Sequence, residues 1–535
     1  MSPLNSAKEE KKYWRSLSEL SETEEFQEFV SREFKDVDVG QNGSVSRRRF
    51  MQLMGASLTL TGATGCWEKE KILPHTRRPA GVVPGKTKAF TSIVDMAGVG
   101  LPLSVTSFDG RPIKVDGNKT HPSTSGGSTG FAQASILDIY DPDRLSSVVR
   151  SNGGSAGTPS DWSAFEEWAK PHFAGLVAAA GKGLTILSEA TASLSVAAQK
   201  AQLMAAMPEA QWVEYEAISD DNAREASRMA FGGDYRADLA LTKAHIIVDV
   251  DSGLLSAHPN HVQHSRDWSS QRDPEAGKMN RLYAIESRMT NTGMGAEHRL
   301  GLRHEQIKSF MLLLEAELAA QGVDTGAPKI KVGKFSQDKK IQKWVKALSK
   351  DLVKHQGNSV VAVGNQHPAD VIALGHRLNV ALGNMGKSVT LRELPDQGRQ
   401  GHAVGLKAVT DAMNAGTVDT LLILGGNPSY TAPADVDFSG ALSKVKNSVF
   451  LTVTPNETSL GCAWSLPRTH YLETWNESRT WDGTVSIAQP LIEPLFNGRA
   501  VSELLSLLRN DVASSQALTR AVFSGLASPA EPAEP

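Results

Sequence analysis

The chain has 535 residues, of which 40% are hydrophobic and 21% charged, so it is long enough for several buried cores. Its net charge of −3 gives no basis for a nucleic-acid or anionic-membrane partner. The two cysteines, Cys66 and Cys462, are too few for a disulfide framework or an all-cysteine metal cluster. No stretch reaches the roughly 20 uninterrupted apolar residues of a membrane span.

Residues 1–66 are the predicted export leader. Their first part is charged and polar, with apolar side chains at helical spacing. The run SRRRF follows, and after it comes a moderately apolar stretch rich in small residues, which is the pattern of a twin-arginine signal. We therefore assign Arg47, Arg48 and Phe50 to the export signal. The alternative is a basic patch that precedes a buried helix.

The run ATGC, which ends at Cys66, is similar to a lipobox, in which small residues admit the signal peptidase and the thiol accepts a diacylglycerol. Its first position is Ala instead of the expected Leu, so both lipidation of Cys66 and an unmodified thiol stay open. Lipidation would tether the protein to the membrane surface without spanning the bilayer. Residues 67–90 contain several prolines and are predicted to form an extended linker.

The stretch Val94–Arg144 carries the most specific motifs. Asp109-Gly110 separates two alternating runs, LPLSVTSF and RPIKVDG, and so predicts a β-hairpin. Residues 91–150 are predicted to form a small β domain. The other motifs in this stretch are Gly98-Val99-Gly100, Val115-Asp116-Gly117-Asn118, His121-Pro122 and Tyr140-Asp141-Pro142-Asp143-Arg144.

These motifs resemble the N-terminal segment of the molybdopterin-guanine-dinucleotide oxidoreductases, in which a Cys-x-x-Cys-x-x-x-Cys run and a fourth cysteine hold an iron–sulfur cluster. In this sequence Val94, Ala97 and Leu101 stand at the first three ligand positions, and Thr129 or Gly130 at the fourth. A cluster needs thiolate ligands, which none of these side chains supplies. The resemblance therefore implies a vestigial iron–sulfur-type domain.

The predicted export leader resembles that of a narrower group within this family. Tyr13-Trp14-Arg15-Ser16-Leu17, followed later by SRRRF, is similar to the extended signal of the Tat-variant-translocated molybdopterin/iron–sulfur proteins, which include the B subunit of alternative complex III. Met279–Ser287 and Thr290–Gly293 look like that group's second-lobe signature. The resemblance implies export by the Tat route to the periplasmic side of the bacterial inner membrane.

Beyond the β domain, helical stretches alternate with short apolar runs, which predicts parallel sheets covered on both faces. The predicted fold class is α/β and molybdopterin oxidoreductase-like, with a small N-terminal β region. Two doubly wound parallel α/β lobes follow, at residues 151–357 and 358–510, without the family's C-terminal β-barrel domain. Residues 511–535 are predicted to form a helix and a disordered Pro/Ala/Glu tail. The predicted strands are Leu184–Leu187, Gln211–Tyr215, His245–Val250, Leu282–Glu286, Ser359–Val363, Ser388–Leu391, Leu421–Leu424 and Val449–Thr454.

One glycine-rich turn is a candidate cofactor site. Gly425, Gly426 and Asn427 follow a predicted strand, and in open α/β sheets such turns let backbone amides approach a phosphate. We interpret these three residues as vestigial cofactor-binding positions, because no Cys, Ser or Asp metal ligand stands in the expected context. The alternative interpretation is an ordinary turn between a strand and a helix.

Two further groups of polar residues are weaker candidates. His258, His261 and His264 lie within seven residues, but a proline and the spacing favour polar packing in a loop over metal binding. Asp249 and Asp251 end a predicted strand and could bind a ribose, although no glycine-rich fingerprint lies nearby. We therefore predict no metal site and no catalytic residue.

The resulting functional hypothesis is a cofactor-free structural subunit of a membrane-associated, quinol-oxidising respiratory complex that passes electrons to c-type cytochromes. The resemblance implies that iron–sulfur clusters and haem c lie on partners: an iron–sulfur ferredoxin-like subunit or region, a multihaem cytochrome c subunit and an integral membrane quinol-oxidising subunit. The chain is not expected to be catalytic alone. Two alternatives stay open: an active molybdopterin-dinucleotide oxidoreductase without the N-terminal cluster, and a solute-binding lipoprotein.

Overall fold

The computed structural model describes residues 85–151, 157–326 and 334–526, together with Glu24 and Val83. The predicted export leader, including Arg47, Arg48, Phe50 and Cys66, lies outside these residues. None of the helices in the described ranges combines the length and the apolar character that a membrane span requires.

Strands and helices alternate through most of the described chain. The strands are β1 (Lys88–Met96), β2 (Val99–Phe108), β3 (Arg111–Gly117), β4 (Val148–Arg150), β5 (Thr158–Ser160), β6 (Leu184–Ser188), β7 (Gln211–Glu214), β8 (Tyr235–Leu239), β9 (Ile246–Val250), β10 (Arg272–Asp273), β11 (Lys278–Met279), β12 (Arg281–Glu286), β13 (His298–Gly301), β14 (Ser359–Val363), β15 (Val389–Glu393), β16 (Thr420–Leu424), β17 (Asn447–Thr452), β18 (Trp464–Pro467), β19 (Asn476–Arg479) and β20 (Val485–Ala488).

The helices lie mostly between these strands. They are α1 (Gly130–Ile139), α2 (Trp162–Ala178), α3 (Leu194–Ala206), α4 (Asp221–Phe231), α5 (His261–Ser270), α6 (Asn291–Gly295), α7 (Ile307–Ala320), α8 (Lys339–Lys354), α9 (Ala369–Ala381), α10 (His402–Asn414), α11 (Pro428–Thr431), α12 (Phe438–Leu442), α13 (Glu457–Gly461), α14 (Val501–Leu508) and α15 (Ser515–Leu526). Short 3₁₀ turns span Leu241–Lys243, His304–Gln306 and Lys334–Gln337.

A seven-stranded sheet, here called the outer sheet, has the order β5-β4-β18-β17-β16-β6-β7. Its strands from β18 to β7 are parallel, and β4 and β5 add an antiparallel edge. Alternate residues of β16 face opposite cores: Leu422 and Leu424 pack with α2 and α14, whereas Leu421 and Ile423 pack with α10 and α12. Apolar residues on both faces explain why β16 reads as one continuous hydrophobic run.

A second sheet, here called the inserted sheet, has the order β13-β12-β9-β14 and is fully parallel. Both sheets belong to one compact unit. The strands of the outer sheet come from residues 148–214 and 420–467, so the inserted sheet lies between these two parts of the sequence. The predicted lobe ranges 151–357 and 358–510 therefore do not correspond to one sheet each. Both ranges contribute to the outer sheet because consecutive strands need not be neighbours in a parallel sheet.

The N-terminal β domain consists of the antiparallel sheet β1-β2-β3 and helix α1, packed around Leu103, Val105 and Val115. The helix differs from the strands and turns predicted for this region. Thr129 begins it as an N-cap, because its Oγ1 accepts a hydrogen bond from the Ala132 amide. The predicted hairpin at Asp109-Gly110 is present as β2 and β3.

Two other local predictions differ from the structure. The segment from His258 to His264 was predicted to be a loop, but helix α5 begins at His261, directly after Pro259 and Asn260. Proline restricts the residue before it yet allows a helix to start shortly afterwards. The predicted strand Ser388–Leu391 is β15, which pairs antiparallel with β8 in a separate two-stranded sheet and does not join a parallel one.

Candidate functional site

The positions that carry cluster ligands in the resembled family meet around the β1–β2 turn. Val94 pairs directly with Leu101, and Ala97 lies in the turn between them with a φ of 49°. Thr129 and Leu101 line the same enclosed space, which admits no water molecule. Three of the four positions therefore lie in or beside this turn, and the space between Leu101 and Thr129 is too small for a water molecule.

The β1–β2 turn is fixed to the outer sheet by Asp95. One oxygen of its carboxylate accepts a hydrogen bond from the Gly98 amide at 3.1 Å. The other accepts hydrogen bonds from the Thr191 hydroxyl at 2.8 Å and the Ala192 amide at 2.7 Å, in the loop after β6. Burial raises the pKa of Asp95 above its usual value despite these donors.

The glycine-rich turn lies at the carboxyl end of β16, with φ values of 94° at Gly425 and 74° at Gly426. A Cβ atom at Gly425 would be only 2.1 Å from Oε2 of Glu189. Glu189 follows β6, the neighbouring strand, and its carboxylate pairs with Arg468 at 2.9 Å. The space that the glycine leaves open is therefore occupied by a carboxylate of the same chain.

The third residue of the turn, Asn427, uses its side-chain amide within the protein. Its Oδ1 accepts hydrogen bonds from the Thr458 hydroxyl at 2.8 Å and the Thr458 amide at 3.3 Å. Its Nδ2 donates to Glu457 at 2.6 Å. Asn427 thus anchors the start of α13 to the glycine turn, which is a structural use of the motif.

A second carboxyl group, that of Glu216, lies near Glu189 at this end of the outer sheet. Glu216 follows β7 and accepts a hydrogen bond from the Ala190 amide at 3.0 Å. Burial, together with the nearby carboxylates of Glu189 and Asp95, raises the pKa of Glu216 to about 7. A phosphate group bound at this turn would be repelled by the Glu189 carboxylate and would have to compete with it for Arg468.

The raised pKa of Glu216 leads to a pH-dependent stability. Because the folded-state pKa exceeds the unfolded one, the stabilisation is full below about pH 4.5 and is lost as the pH rises through about 7. Glu216→Gln keeps the acceptor oxygen, and we expect it to stabilise the protein by ~1–2 kcal/mol at pH 8, after discounting for solvent screening, and by nearly nothing at pH 5. Urea denaturation at both pH values tests this, with the exposed Glu493→Gln as control; equal effects at both pH values would contradict it.

The turn between β19 and β20 packs against side chains of β8 and of the segment before α5. The indole of Trp481 lies 4.1 Å from the Arg236 guanidinium and 4.9 Å from the His258 ring. His258 in turn contacts His264 at 4.5 Å. Burial lowers the pKa of His264 to about 3, so its ring is neutral. His258 and His264 therefore pack against each other around the start of α5, and not in the predicted loop.

Asp249, near the end of β9, and Asp251, just after it, both accept hydrogen bonds from nearby residues of the chain. Oδ1 of Asp249 accepts hydrogen bonds from Ser252 and from the Leu254 amide, and burial raises the pKa of Asp249 to about 6. Asp251 accepts a hydrogen bond from the Ser287 hydroxyl at 3.0 Å. Asp249, which the sequence offered as a ribose ligand, is therefore directed into its own loop.

Comparison with known proteins agrees with this architecture, although no family model matches the chain. The chain is 23% identical over 505 residues to the molybdopterin-binding-like subunit of menaquinone reductase from Nitratidesulfovibrio vulgaris, covering 87% of this chain and 72% of that protein. Acetylene hydratase from Pelobacter acetylenicus aligns with a TM-score of 0.55 at 12% identity, covering 78% of this chain and 67% of the hydratase. The fold is molybdopterin oxidoreductase-like, as the motifs between Val94 and Arg144 predicted.

Proposed function

We propose that this chain is a structural, cofactor-free subunit of a membrane-associated respiratory complex that exchanges electrons with the quinone pool. In this role the molybdopterin oxidoreductase-like fold positions electron-carrying partners and holds no electron itself. The observation that carries the proposal is the Glu189–Arg468 ion pair, which occupies the glycine turn at the carboxyl end of β16. A dinucleotide phosphate would have to displace this pair to reach the backbone amides.

The part of the proposal that this chain holds no iron–sulfur cluster rests on its sequence. With two cysteines in 535 residues, the chain lacks the thiolates that a four-cysteine cluster needs. The positions resembling cluster ligands carry Val94, Ala97, Leu101 and Thr129, and the first and third of these pair across two strands. Electron transfer through this chain would therefore need centres held by partners.

The quinone link is supported by the relative from N. vulgaris, which is named as a subunit of menaquinone reductase. The motifs of the leader and of residues 94–144 favour the more specific hypothesis of a quinol-oxidising complex of the alternative complex III type. Its partners would be an iron–sulfur ferredoxin-like subunit or region, a multihaem cytochrome c subunit and an integral membrane subunit. Export by the Tat route through Arg47, Arg48 and Phe50, and attachment through Cys66, complete the hypothesis.

Exposed apolar side chains of the β domain support an interaction role. Phe131 and Leu137, both on α1, are 84% and 68% exposed. Large apolar side chains at this exposure are consistent with a surface that a partner covers in the assembled complex. They lie in the domain that would carry the iron–sulfur cluster in the resembled family.

Metal and pterin analysis tests the cofactor-free state. We expect the full chain, produced in a bacterium that synthesises molybdopterin guanine dinucleotide, to contain no stoichiometric molybdenum, tungsten or iron by mass spectrometry. It should also show no visible absorbance, and oxidative denaturation should release no fluorescent pterin. These results follow from the occupied glycine turn and the missing thiolates.

A family member that binds the cofactor, produced in the same host, serves as the positive control for loading. Pterin at one or two molecules per chain, or stoichiometric molybdenum, would favour the active molybdopterin-dinucleotide oxidoreductase instead. Stoichiometric iron would remove the hypothesis that all redox centres lie on partners.

A further inference from the structure

Three side chains with metal-binding atoms converge at the carboxyl end of the inserted sheet. Asp251 follows β9, His367 follows β14, and His304 begins the 3₁₀ turn after β13. One potential ligand atom of each residue lies within 4.8 Å of the other two. The His304 and His367 rings are stacked, with centroids 4.4 Å apart and ring planes inclined by 9°.

His367 provides an independent sign of a missing ligand. Its side chain is 1% exposed, and its Nε2 has no hydrogen-bond partner among the described residues. Oδ2 of Asp251 lies 3.6 Å from it, which is longer than a hydrogen bond. A buried polar atom without a partner is costly, and a bound cation between the two side chains would satisfy it.

Hydrogen bonds from neighbouring residues orient the carboxylate of Asp251, as they orient metal ligands in other proteins. The Ser287 hydroxyl donates to it at 3.0 Å and the Ser287 amide at 3.3 Å, while Gln366 donates to the backbone carbonyl of Asp251. No lysine or arginine of the described residues forms an ion pair with Asp251. The side chain that faces its carboxylate is the His367 imidazole, which is itself a metal-binding group.

A second cluster with similar residue types differs in its charge, because arginines pair with its carboxylates. Asp220, Asp221 and His402 also bring ligand atoms together. However, Asp220 already pairs with Arg399 at 2.5 Å and with Arg224 at 2.9 Å. Two guanidinium groups neutralise this cluster and would repel a metal cation, so the cluster around Asp251 is the better candidate.

We propose that Asp251, His304 and His367 bind one divalent ion of the zinc class. Two imidazoles and one carboxylate form a ligand set that proteins use for zinc, with water completing the coordination. Zinc has no redox chemistry, so this site is compatible with a subunit that holds no electron. The ion would join the chain segments after β9, β13 and β14 into one rigid edge. The ligands are far apart in the sequence, so no spacing motif predicted this site.

A zinc titration of the full chain tests the proposal. The protein is prepared without a histidine tag, stripped of metal by a chelator and titrated with Zn²⁺ in a calorimeter. We expect one saturable site per chain. His304→Ala should weaken it at least about tenfold, and because His304 is exposed the variant should fold normally. Asp251→Asn should act similarly, since asparagine tolerates the φ of 54° at this position.

The matched control is His245→Ala, which removes an exposed histidine just before β9, at the opposite end of that strand. It should leave zinc binding unchanged. Co²⁺ provides a second readout, since ligation by two histidines and a carboxylate gives visible ligand-field bands that His304→Ala should abolish. Absence of a saturable site, or equal affinity of the parent protein and His304→Ala, would overturn the proposal.

Discussion

Replacing Arg144 by alanine is expected to destabilise the protein by about 3–5 kcal/mol, because it leaves the buried carboxylate of Glu473 unpaired. The two side chains are 2% and 0% exposed and form two parallel hydrogen bonds, at 2.7 and 2.9 Å. Arg144 also donates to the Ile139 carbonyl at 3.1 Å and thereby fixes the end of α1. Urea denaturation followed by tryptophan fluorescence measures the loss.

The control for this prediction is the double variant Arg144→Met with Glu473→Leu. Removing both charges avoids an unpaired buried ion, so we expect it to recover most of the stability lost in Arg144→Ala. A double variant as unstable as the single one would show that packing of the arginine stem, and not charge, dominates.

Lowering the pH should weaken the Arg144–Glu473 pair. Burial alone would raise the pKa of Glu473, but the Arg144 guanidinium and the Leu495 and His470 amides outweigh it and hold the pKa below its usual value. The stabilisation is therefore present above the unfolded-state pKa and lost as the pH falls through the folded-state pKa. The double variant should lose less stability on acidification than the parent protein.

Gly117→Ala is expected to cost about 3 kcal/mol or more, at the upper end of overpacking effects. A Cβ atom at Gly117 would lie 2.2 Å from the Gly127 carbonyl oxygen and 2.5 Å from that of Gly126. These obstacles are backbone atoms, which cannot rotate away as a flexible side chain could. The substitution would push the end of β3 away from the loop that precedes α1.

Gly130→Ala is the matched control, because it adds the same methyl group where no atom lies within 4 Å. Gly130 is the first residue of α1, where alanine is the better helix former, so we expect a neutral or slightly stabilising effect of up to ~1 kcal/mol. The two variants are compared by their urea midpoints. Similar midpoints would show that the Gly126–Gly127 loop yields easily.

The sequence predicted strands well where apolar runs were short and continuous. The run Leu421–Leu424 became β16 and Ser359–Val363 became β14, because both faces of a parallel strand are buried. Helix α1 was missed because glycines and serines precede it and obscure the start signal that Thr129 supplies.

Strand order could not be predicted in the same way. Periodicity identifies β6 and β16 separately, but it does not show that they are neighbours, with more than two hundred residues between them. The same limit applies to the candidate site. The turn at Gly425 was visible in the sequence, whereas its occupation by Glu189 depends on that pairing of strands.

The strands of the inserted sheet lie between the two parts of the outer sheet in the sequence. The ribosome therefore completes the inserted sheet before the outer sheet. Once Val363 has left the ribosome, the inserted sheet has all four of its strands, while the outer sheet still lacks β16, β17 and β18. Until Leu424 emerges, β6 has no partner on the edge that β16 will cover, and such edges favour aggregation of a nascent chain. If the proposed Tat export of folded chains takes place, it would have to wait until β18, the last of these strands, has been synthesised.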